Sequence, residues 1–442
     1  MKVLKFGGTS VGSPSRVKHV ANLITNGEKK IVVLSAVSGT TNSLVALCEA
    51  YQKGDTAESE KIILQFREKY TGFINELYAG ADEKYAKKAS EKINEIIDLL
   101  ASFSIEKFSN KTERIILAQG ELMSTQLMQF YLESTGENSV LLPALEFMKT
   151  TEEEPDDEFI KENLQKQLTQ YSDCPLFITQ GYICKNEFGE IDNLKRGGSD
   201  YTASIIGKAA GSSEIQIWTD IDGMHNNDPR IVDKTFPVRE LTFEEAAELA
   251  YFGAKILHPS SILPAQKANI PVKLLNTMEP EKEGTKISSE VKRERKIAAV
   301  AAKDGIVAIK IKSSRMLFAY GFLRKVFEVF EQFKTPIDVI TTSEVAVSVT
   351  IDKTNHLEEI LTELKIFGEV EFDQDHTIIC VVGKFLQKDT RIAAQVISVL
   401  KDIPIRMISY GGSKNNITIL IHKDYKVQAL KALNEEIFLI EE

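Results

Sequence analysis

Short runs that are apolar on both faces alternate with helical patterns over the first 290 or so residues. Val3-Leu4-Lys5-Phe6, Ile31-Val32-Val33-Leu34, Leu176-Phe177-Ile178-Thr179 and Ile215-Gln216-Ile217-Trp218 are such runs. A strand covered by helices on both sides has no polar face, so these segments predict the interior strands of a parallel sheet in a layered α/β domain. Between Tyr51 and Lys111 the chain is charged, yet Ile62-Ile63, Phe66, Tyr70, Phe73 and Leu77 recur at helical spacing. That spacing predicts a helical excursion outside the sheet with a solvated structural role.

Residues 278–296 are polar and dense in charge, contain Pro280 and Gly284, and read as a linker. Beyond them a pattern occurs twice. A helical segment from Gly321 to Phe333 leads to Thr335-Pro336-Ile337, the strand-like Asp338-Val339-Ile340 and a second strand from Val345 to Ile351. A helical segment from Arg391 to Lys401 leads to Ile403-Pro404-Ile405, Arg406-Met407-Ile408 and a second strand from Ile417 to Ile421. Recurrence in the same order marks a duplicated unit, and two ferredoxin-like βαββαβ modules fit it. The expected division is 1–290, 297–375 and 376–442, with the last module able to recruit a strand near 297–303.

The 442 residues suggest two to four folding units. A hydrophobic content of 43% with 12 Pro and 25 Gly is that of a globular chain. Against 54 Lys and Arg stand 64 Asp and Glu, a net charge of −10, which argues against a nucleic-acid or anionic-membrane partner. The apolar start ends at Gly7-Gly8, too early for a secretory signal, and no run has the length of a membrane span. Cys48, Cys174, Cys184 and Cys380 form no close pair, and the six histidines are scattered. A reducing cytoplasm, no resident transition metal, and a metal that arrives only with substrate are the expectations.

Two glycine turns carry the candidate chemistry. Leu4-Lys5-Phe6-Gly7-Gly8-Thr9-Ser10 puts a lysine near a strand end and two glycines at the turn, with Ser13 as helix cap and Pro14 in the first turn. Backbone N–H groups in such a turn can approach an anion, and the helix N-terminus favours it, so the segment reads as a phosphate cradle or as a plain tight turn. Arg196-Gly197-Gly198-Ser199-Asp200-Tyr201-Thr202 is the second, in which Arg196 could fork onto a carboxylate and Asp200 hold a lysine or orient a metal, unless it is merely a cap. Trp218-Thr219-Asp220 ends a strand in polar groups, where ligands of open α/β sheets bind. No G-x-x-x-x-G-K-[ST], G-x-G-x-x-G at the first turn, H-R-D or D-F-G is present, which removes the P-loop, dinucleotide and protein-kinase readings.

Taken in order, Lys5 to Val11, Leu34-Ser35-Ala36 with Gly39-Thr40-Thr41-Asn42, Gln119-Gly120-Glu121, Arg196 to Thr202, Trp218-Thr219-Asp220, Asp228-Pro229-Arg230 and Phe252 to Pro259 resemble the aspartate kinases of the amino-acid kinase family. The resemblance covers the whole chain, because those enzymes carry paired ACT modules after the kinase domain. It implies a three-layer αβα fold with a largely parallel sheet, and transfer of the γ-phosphoryl group of Mg-ATP to the side-chain carboxylate of L-aspartate. The product is 4-phospho-L-aspartate, the first intermediate toward lysine, threonine and methionine.

The resemblance also implies roles. Lys5 touches the transferring phosphate and Asp200 holds that lysine or the metal-bound phosphates. Arg196 grips the α-carboxylate of aspartate and Glu121 its ammonium, while Thr41, Gly197, Gly198 and Ser199 complete the pocket. Phe6, Gly7, Gly8, Thr219, Asp220, Arg230, Lys255 and Ile256 line the nucleotide. Many relatives have a tyrosine before Asp-Pro-Arg where this chain has His225, which can reach the nucleotide or remain a solvated loop residue.

In the tail, Met316, Ala319, Phe322, Leu323, Asp338, Thr342, Ser343 and Glu344 look like the effector-binding positions of lysine-inhibited members, with Asp338 meeting the effector's amine. Phe318-Ala319-Tyr320 departs from the best-known lysine pattern, which leaves threonine open. A homodimer through the ACT modules, or a tetramer, is implied. Rival readings are a kinase acting on glutamate or a nucleotide, and an amino-acid sensor built on an inactive kinase. A fused homoserine dehydrogenase is not expected, since no further strand and G-x-G-x-x-G follow the repeat.

Overall fold

The computed structural model describes residues 1–103, 108–194, 197–253, 257–313, 316, 320–384, 386–389 and 391–439. They form two compact units, Met1–Met224 with Ile256–Val291, and His225–Lys255 with Lys292–Glu442.

In the first unit the strands lie in the order Thr285–Ser288, Val272–Asn276, Glu214–Thr219, Lys2–Phe6, Lys30–Leu34, Leu176–Gln180, Ser139–Leu142. Every pairing from Val272–Asn276 to Ser139–Leu142 is parallel. The four sequence runs are its centre, and Lys30–Leu34 and Leu176–Gln180 are buried throughout. Alternation of side chains sends Leu4, Phe6, Val32, Leu34, Leu176 and Ile178 to one face, where helices Pro14–Ile24, Thr40–Lys53, Thr56–Leu77, Glu83–Ser102 and Asn110–Ser134 pack. Val3, Ile31, Val33 and Phe177, equally buried, face the other way, the side of helix Gly198–Ala210. This is the three-layer αβα arrangement.

Two expectations need correction. The helices after Tyr51 lie outside the sheet as expected, but their role is not a solvated one: Ile62, Phe66, Tyr70, Phe73 and Leu77 belong to the main core, and only the opposite helix face is wet. Residues 278–296 are not all linker, because Thr285–Ser288 pairs antiparallel with Val272–Leu274. Its alternation of buried Thr285 and Ile287 with exposed Lys286 was hidden within a run of charges.

The second unit is a six-stranded antiparallel sheet in the order Ile340–Thr342, Ala346–Ile351, Ile297–Lys312, Glu369–Gly383, Asn416–His422, Ile405–Tyr410. The two long central strands serve both modules. Val307, Ile309 and Ile311 pack with helices Phe322–Gln332 and Leu357–Leu364. Ile297, Val300, Ile379 and Val381 pack with helices Ile392–Val399 and Lys426–Leu433. Residues 297–303 pair with 378–383 and supply the last strand of the second βαββαβ set from ahead of the first. The strand expected at 338–340 begins instead at Ile340, while Asp338 and Val339 exchange bonds with Thr350 before it.

Residues 225–253 pack in this unit, ahead of the segment Ile256–Val291 that belongs to the first. Asn226 Nδ2 donates to Asn434 Oδ1 at 3.0 Å, and Asn227 Nδ2 to the Leu430 carbonyl at 2.9 Å. Helix Phe243–Tyr251 is capped by Thr242 and Glu245 in a capping box, and the enclosed Glu245 carboxylate pairs with Arg293 at 2.6 Å.

Candidate active site

Parallel strands place their C-terminal ends on one edge. Phe6 is in register with Leu34 and with Trp218, so the chain leaves three neighbouring strands side by side at Gly7, Ser35 and Thr219. Side chains and turns from these exits form the site.

Lys5 is one residue short of its strand end, and its Nζ lies 2.7 Å from Asp200 Oδ1 in the first turn of helix Gly198–Ala210. Both side chains are largely enclosed. The Gly7-Gly8 turn passes close to the exit of the next strand, since a Cβ on Gly8 would stand 2.9 Å from the Ala36 carbonyl oxygen. A side chain there would push the two exits apart. Ser13 accepts from the Arg16 N–H and Pro14 occupies the first turn, so the helix after the turn starts as expected.

The second exit carries the amino-acid end. Glu121, 5% exposed, accepts the Ala36 N–H at 3.2 Å through Oε1. Burial pushes its carboxyl up to about 8, opposed by the Ala36 bond and, more weakly, by Lys5. A dehydrated carboxylate of this kind gains from an arriving cation. Ser35 Oγ donates to Ser199 Oγ at 2.9 Å. Ser199 lies against Gly181, where a Cβ would be 2.4 Å from its Cβ and Oγ. Gly197 (φ +68°) and Gly198 (φ +48°) hold the left-handed turn into the helix. Thr41 is exposed in the first turn of helix Thr40–Lys53. At the third exit Thr219 is half-buried and Asp220 exposed, and the Thr219 hydroxyl accepts the Ile221 N–H at 3.2 Å.

Lys5, Phe6, Gly7 and Gly8 therefore stand at one exit, with Thr41, Thr219 and Asp220 on the segments that continue from its neighbours, while two helices bring Asp200 to Lys5, Ser199 to Ser35 beside Gly197 and Gly198, and Glu121 to Ala36. Arg196, Lys255 and Ile256 lie outside the described residues, as does Ala319 among the effector positions. In the second unit, Arg230 is bidentate on Asp228 through Nε at 2.9 Å and Nη2 at 2.7 Å. His225 Nδ1 is 3.0 Å from Thr235 Oγ1.

Of the effector positions, Met316 and Phe322 pack in the core of the first module, Leu323 is partly exposed, and Thr342, Ser343 and Glu344 are exposed. The Asp338 side chain is 1% exposed, with Lys303 Nζ 2.7 Å from Oδ1. Tyr251 donates its hydroxyl to the same oxygen at 2.9 Å. The same Lys303 is 3.0 Å from Asp352 Oδ2. Burial raises the Asp338 carboxyl in spite of this lysine.

Sequence reasoning gave no role to Ser35, Tyr182, Lys69 or Tyr70. Tyr182 follows the strand Leu176–Gln180 with φ +67° and donates its N–H to Thr202 Oγ1 at 2.8 Å. Its phenol is pushed up to about 12 by burial first and by Glu121 next. A left-handed tyrosine is uncommon and leaves no trace in hydrophobic pattern. Lys69 and Tyr70 sit on a helix whose charge pattern conceals its contact with the site.

Among the described residues no three His, Cys, Asp or Glu side chains gather as a metal site, and no helix is long and apolar enough to cross a membrane. The four cysteines are free and buried.

The amino acid kinase family matches residues 1–276 and an ACT domain matches residues 379–437. The chain is 32% identical over 455 residues to the lysine-sensitive aspartokinase 3 of Escherichia coli, covering 99% of both. It is 34% identical over 461 residues to the chloroplastic aspartokinase 2 of Arabidopsis thaliana, covering 99% of this chain and 84% of that one. The structure of E. coli aspartokinase III with aspartate and ADP superposes with a TM-score of 0.82 at 30% identity over 99% of this chain and 100% of that one. The same enzyme with lysine and aspartate gives 0.82 at 31% identity, covering 99% of each.

Proposed function

This chain belongs to the amino acid kinase family and within it to the aspartokinases, and from that premise we propose how its own residues perform and regulate the reaction. The enzyme is an ATP-dependent phosphotransferase whose acceptor is the carboxyl group of aspartate. The acceptor is already ionised at neutral pH, so attack needs no general base. Catalysis rests on alignment and on neutralising the anionic groups that must meet.

Lys5 neutralises the transferring phosphoryl group, and Asp200 fixes the Lys5 ammonium in position. Gly7 and Gly8 bring backbone N–H groups to the phosphates, and Mg²⁺ enters bound to ATP. Glu121 receives the substrate ammonium, while Thr41 and Ser199 bond its carboxylates. The supporting observation is the Lys5–Asp200 pair at the strand exit next to the one that carries Glu121 and Ala36.

The product, 4-phospho-L-aspartate, is a mixed anhydride that a following reductive or acyl-transfer step must consume. We place it at the head of lysine, threonine and methionine synthesis. The ACT modules bind lysine as a feedback inhibitor and pair two copies into a homodimer. The lysine-sensitive relative and its lysine-bound structure support the effector. ADP release from Mg-ATP and aspartate, measured with lysine or threonine at millimolar concentration, tests this. Inhibition by lysine is expected; inhibition by threonine alone would replace the effector and leave the catalytic reading intact.

A further inference from the structure

Lys69 takes no part in the chemistry above, yet its ammonium reaches the loop that presents Thr41. From helix Thr56–Leu77 its Nζ donates to the Ser38 carbonyl at 3.0 Å and to Thr40 Oγ1 at 3.1 Å. The same Thr40 hydroxyl is 2.8 Å from the hydroxyl of the fully buried Tyr70. Between the two acceptors stands Gly39, in the left-handed region at φ +78°, and a Cβ there would be 3.9 Å from Lys69 Nζ. Thr40 in turn packs beside Gly120, the residue before Glu121, because a Cβ on Gly120 would be 3.5 Å from Thr40 Cγ2 and 2.8 Å from Ala36 Cβ. Helix Thr56–Leu77 thus ties down one end of the amino-acid pocket through Lys69 and Tyr70.

The environment of this ammonium is unusual. Both of its hydrogen-bond acceptors are neutral oxygens, its Nζ lies 5.6 Å from the centre of the Tyr70 ring, and among the described residues no carboxylate is paired with it. Lys69 is an exposed residue, and only the partial burial of its ammonium tip lowers it from the usual lysine range. An ammonium held on neutral oxygens keeps its charge uncompensated, so it attracts an anion that arrives nearby. Thr41, the residue that follows its acceptor Thr40, is the position assigned above to a substrate carboxylate.

We propose that Lys69 is a positioning and specificity-determining residue for the dicarboxylic amino acid: it fixes the Ser38–Thr41 turn and lends its positive charge to the carboxylate received there. The proposal rests on the assignment of aspartate to the pocket of Thr41 and Glu121.

The test uses the purified full chain and the variants Lys69→Met, Lys69→Gln, Lys69→Glu and Lys69→Arg, with initial rates measured against aspartate and ATP separately. The Met and Gln variants should raise KM for aspartate about tenfold, the size of one charge-assisted hydrogen bond. The Glu variant should raise it further, and the Arg variant should restore most of the loss. KM for ATP and the melting temperature should stay near wild type. Lys61→Met, which removes an exposed lysine of the same helix paired with Glu58, should change nothing. An unchanged KM for aspartate in the Met and Gln variants overturns the proposal. So do equal rises in both KM values with a lowered melting temperature, or loss of the folded state in both variants, since these mark a merely structural lysine. A wild-type chain without aspartate-dependent ADP release refutes the substrate assignment itself.

Discussion

The Lys5 ammonium lies 2.7 Å from the Asp200 carboxylate, joining the end of the central strand to the first turn of helix Gly198–Ala210. An enclosed ion pair fixes where its charges stand, and removing one partner leaves the other charge unpaired, a cost that a chain with a core of this size can bear while staying folded. Lys5→Ala should therefore keep the fold, read by circular dichroism, and lower kcat by about 10² to 10³, the usual loss when one transition-state stabiliser is removed. A variant with near-normal kcat takes Lys5 out of the mechanism.

Glu121 sets a pH dependence with a definite sign. Its carboxyl is raised from 4.5 to about 8 by burial. Its contribution to stability is therefore fully present below pH 4.5 and is lost as pH rises through about 8, the reverse of a salt-bridged carboxylate. Glu121→Gln cannot ionise, so its melting temperature should gain on wild type between pH 5 and 9. The substrate ammonium needs the ionised form, so KM for aspartate in the wild type should fall from pH 6.5 to 8.5. In Glu121→Gln it should be high and flat across that range. Parallel profiles for the two proteins would detach Glu121 from both effects.

Gly181 leaves Ser199 no spare room, because a Cβ would stand 2.4 Å from the serine Cβ and Oγ and 2.9 Å from its Cα. Gly181→Ala should displace Ser199 and its bond from Ser35. The expected cost is about 1–3 kcal/mol in urea unfolding, as for other overpacked sites, with at least a tenfold loss of kcat/KM for aspartate. Full activity would mean that Ser199 is not part of the pocket.

Lys303 neutralises two carboxylates, Asp338 and Asp352, and its Nζ is 4.6 Å from the centre of the Tyr251 ring. Lys303→Met should cost about 3 kcal/mol or more, since it leaves the enclosed Asp338 without a cation, and adding Asp338→Asn should recover part of that loss. Asp338→Asn alone should remove inhibition by lysine and keep the uninhibited rate. Retained lysine inhibition in that variant would move the effector's amine to another partner.

The sheet of the first unit could be read from the chain because its central strands are covered on both faces, as Ile31 to Leu34 show. The duplicated modules could be read from Pro336 and Pro404, which stand at equivalent turns. The sharing of strands Ile297–Lys312 and Glu369–Gly383 could not, since a long strand gives the same alternation whether it serves one module or two. Strand Thr285–Ser288 lay in a charged run whose only signal is two inward side chains. In the site, glycines and charged residues clustered in sequence were visible, including the two that meet as Lys5 and Asp200. Tyr182, Lys69 and the pairing of Lys303 with Asp338 were not, because each depends on a backbone angle or on a neighbour distant along the chain.

The acyl phosphate itself gives the most direct measurement. The protein is incubated with Mg-ATP, L-aspartate and hydroxylamine, and the hydroxamate formed is compared with ADP released. Aspartyl β-hydroxamate is expected in amounts equal to ADP, with little product from glutamate and almost none from Lys5→Ala. ADP release that does not depend on aspartate, or a preference for another acceptor, would contradict it.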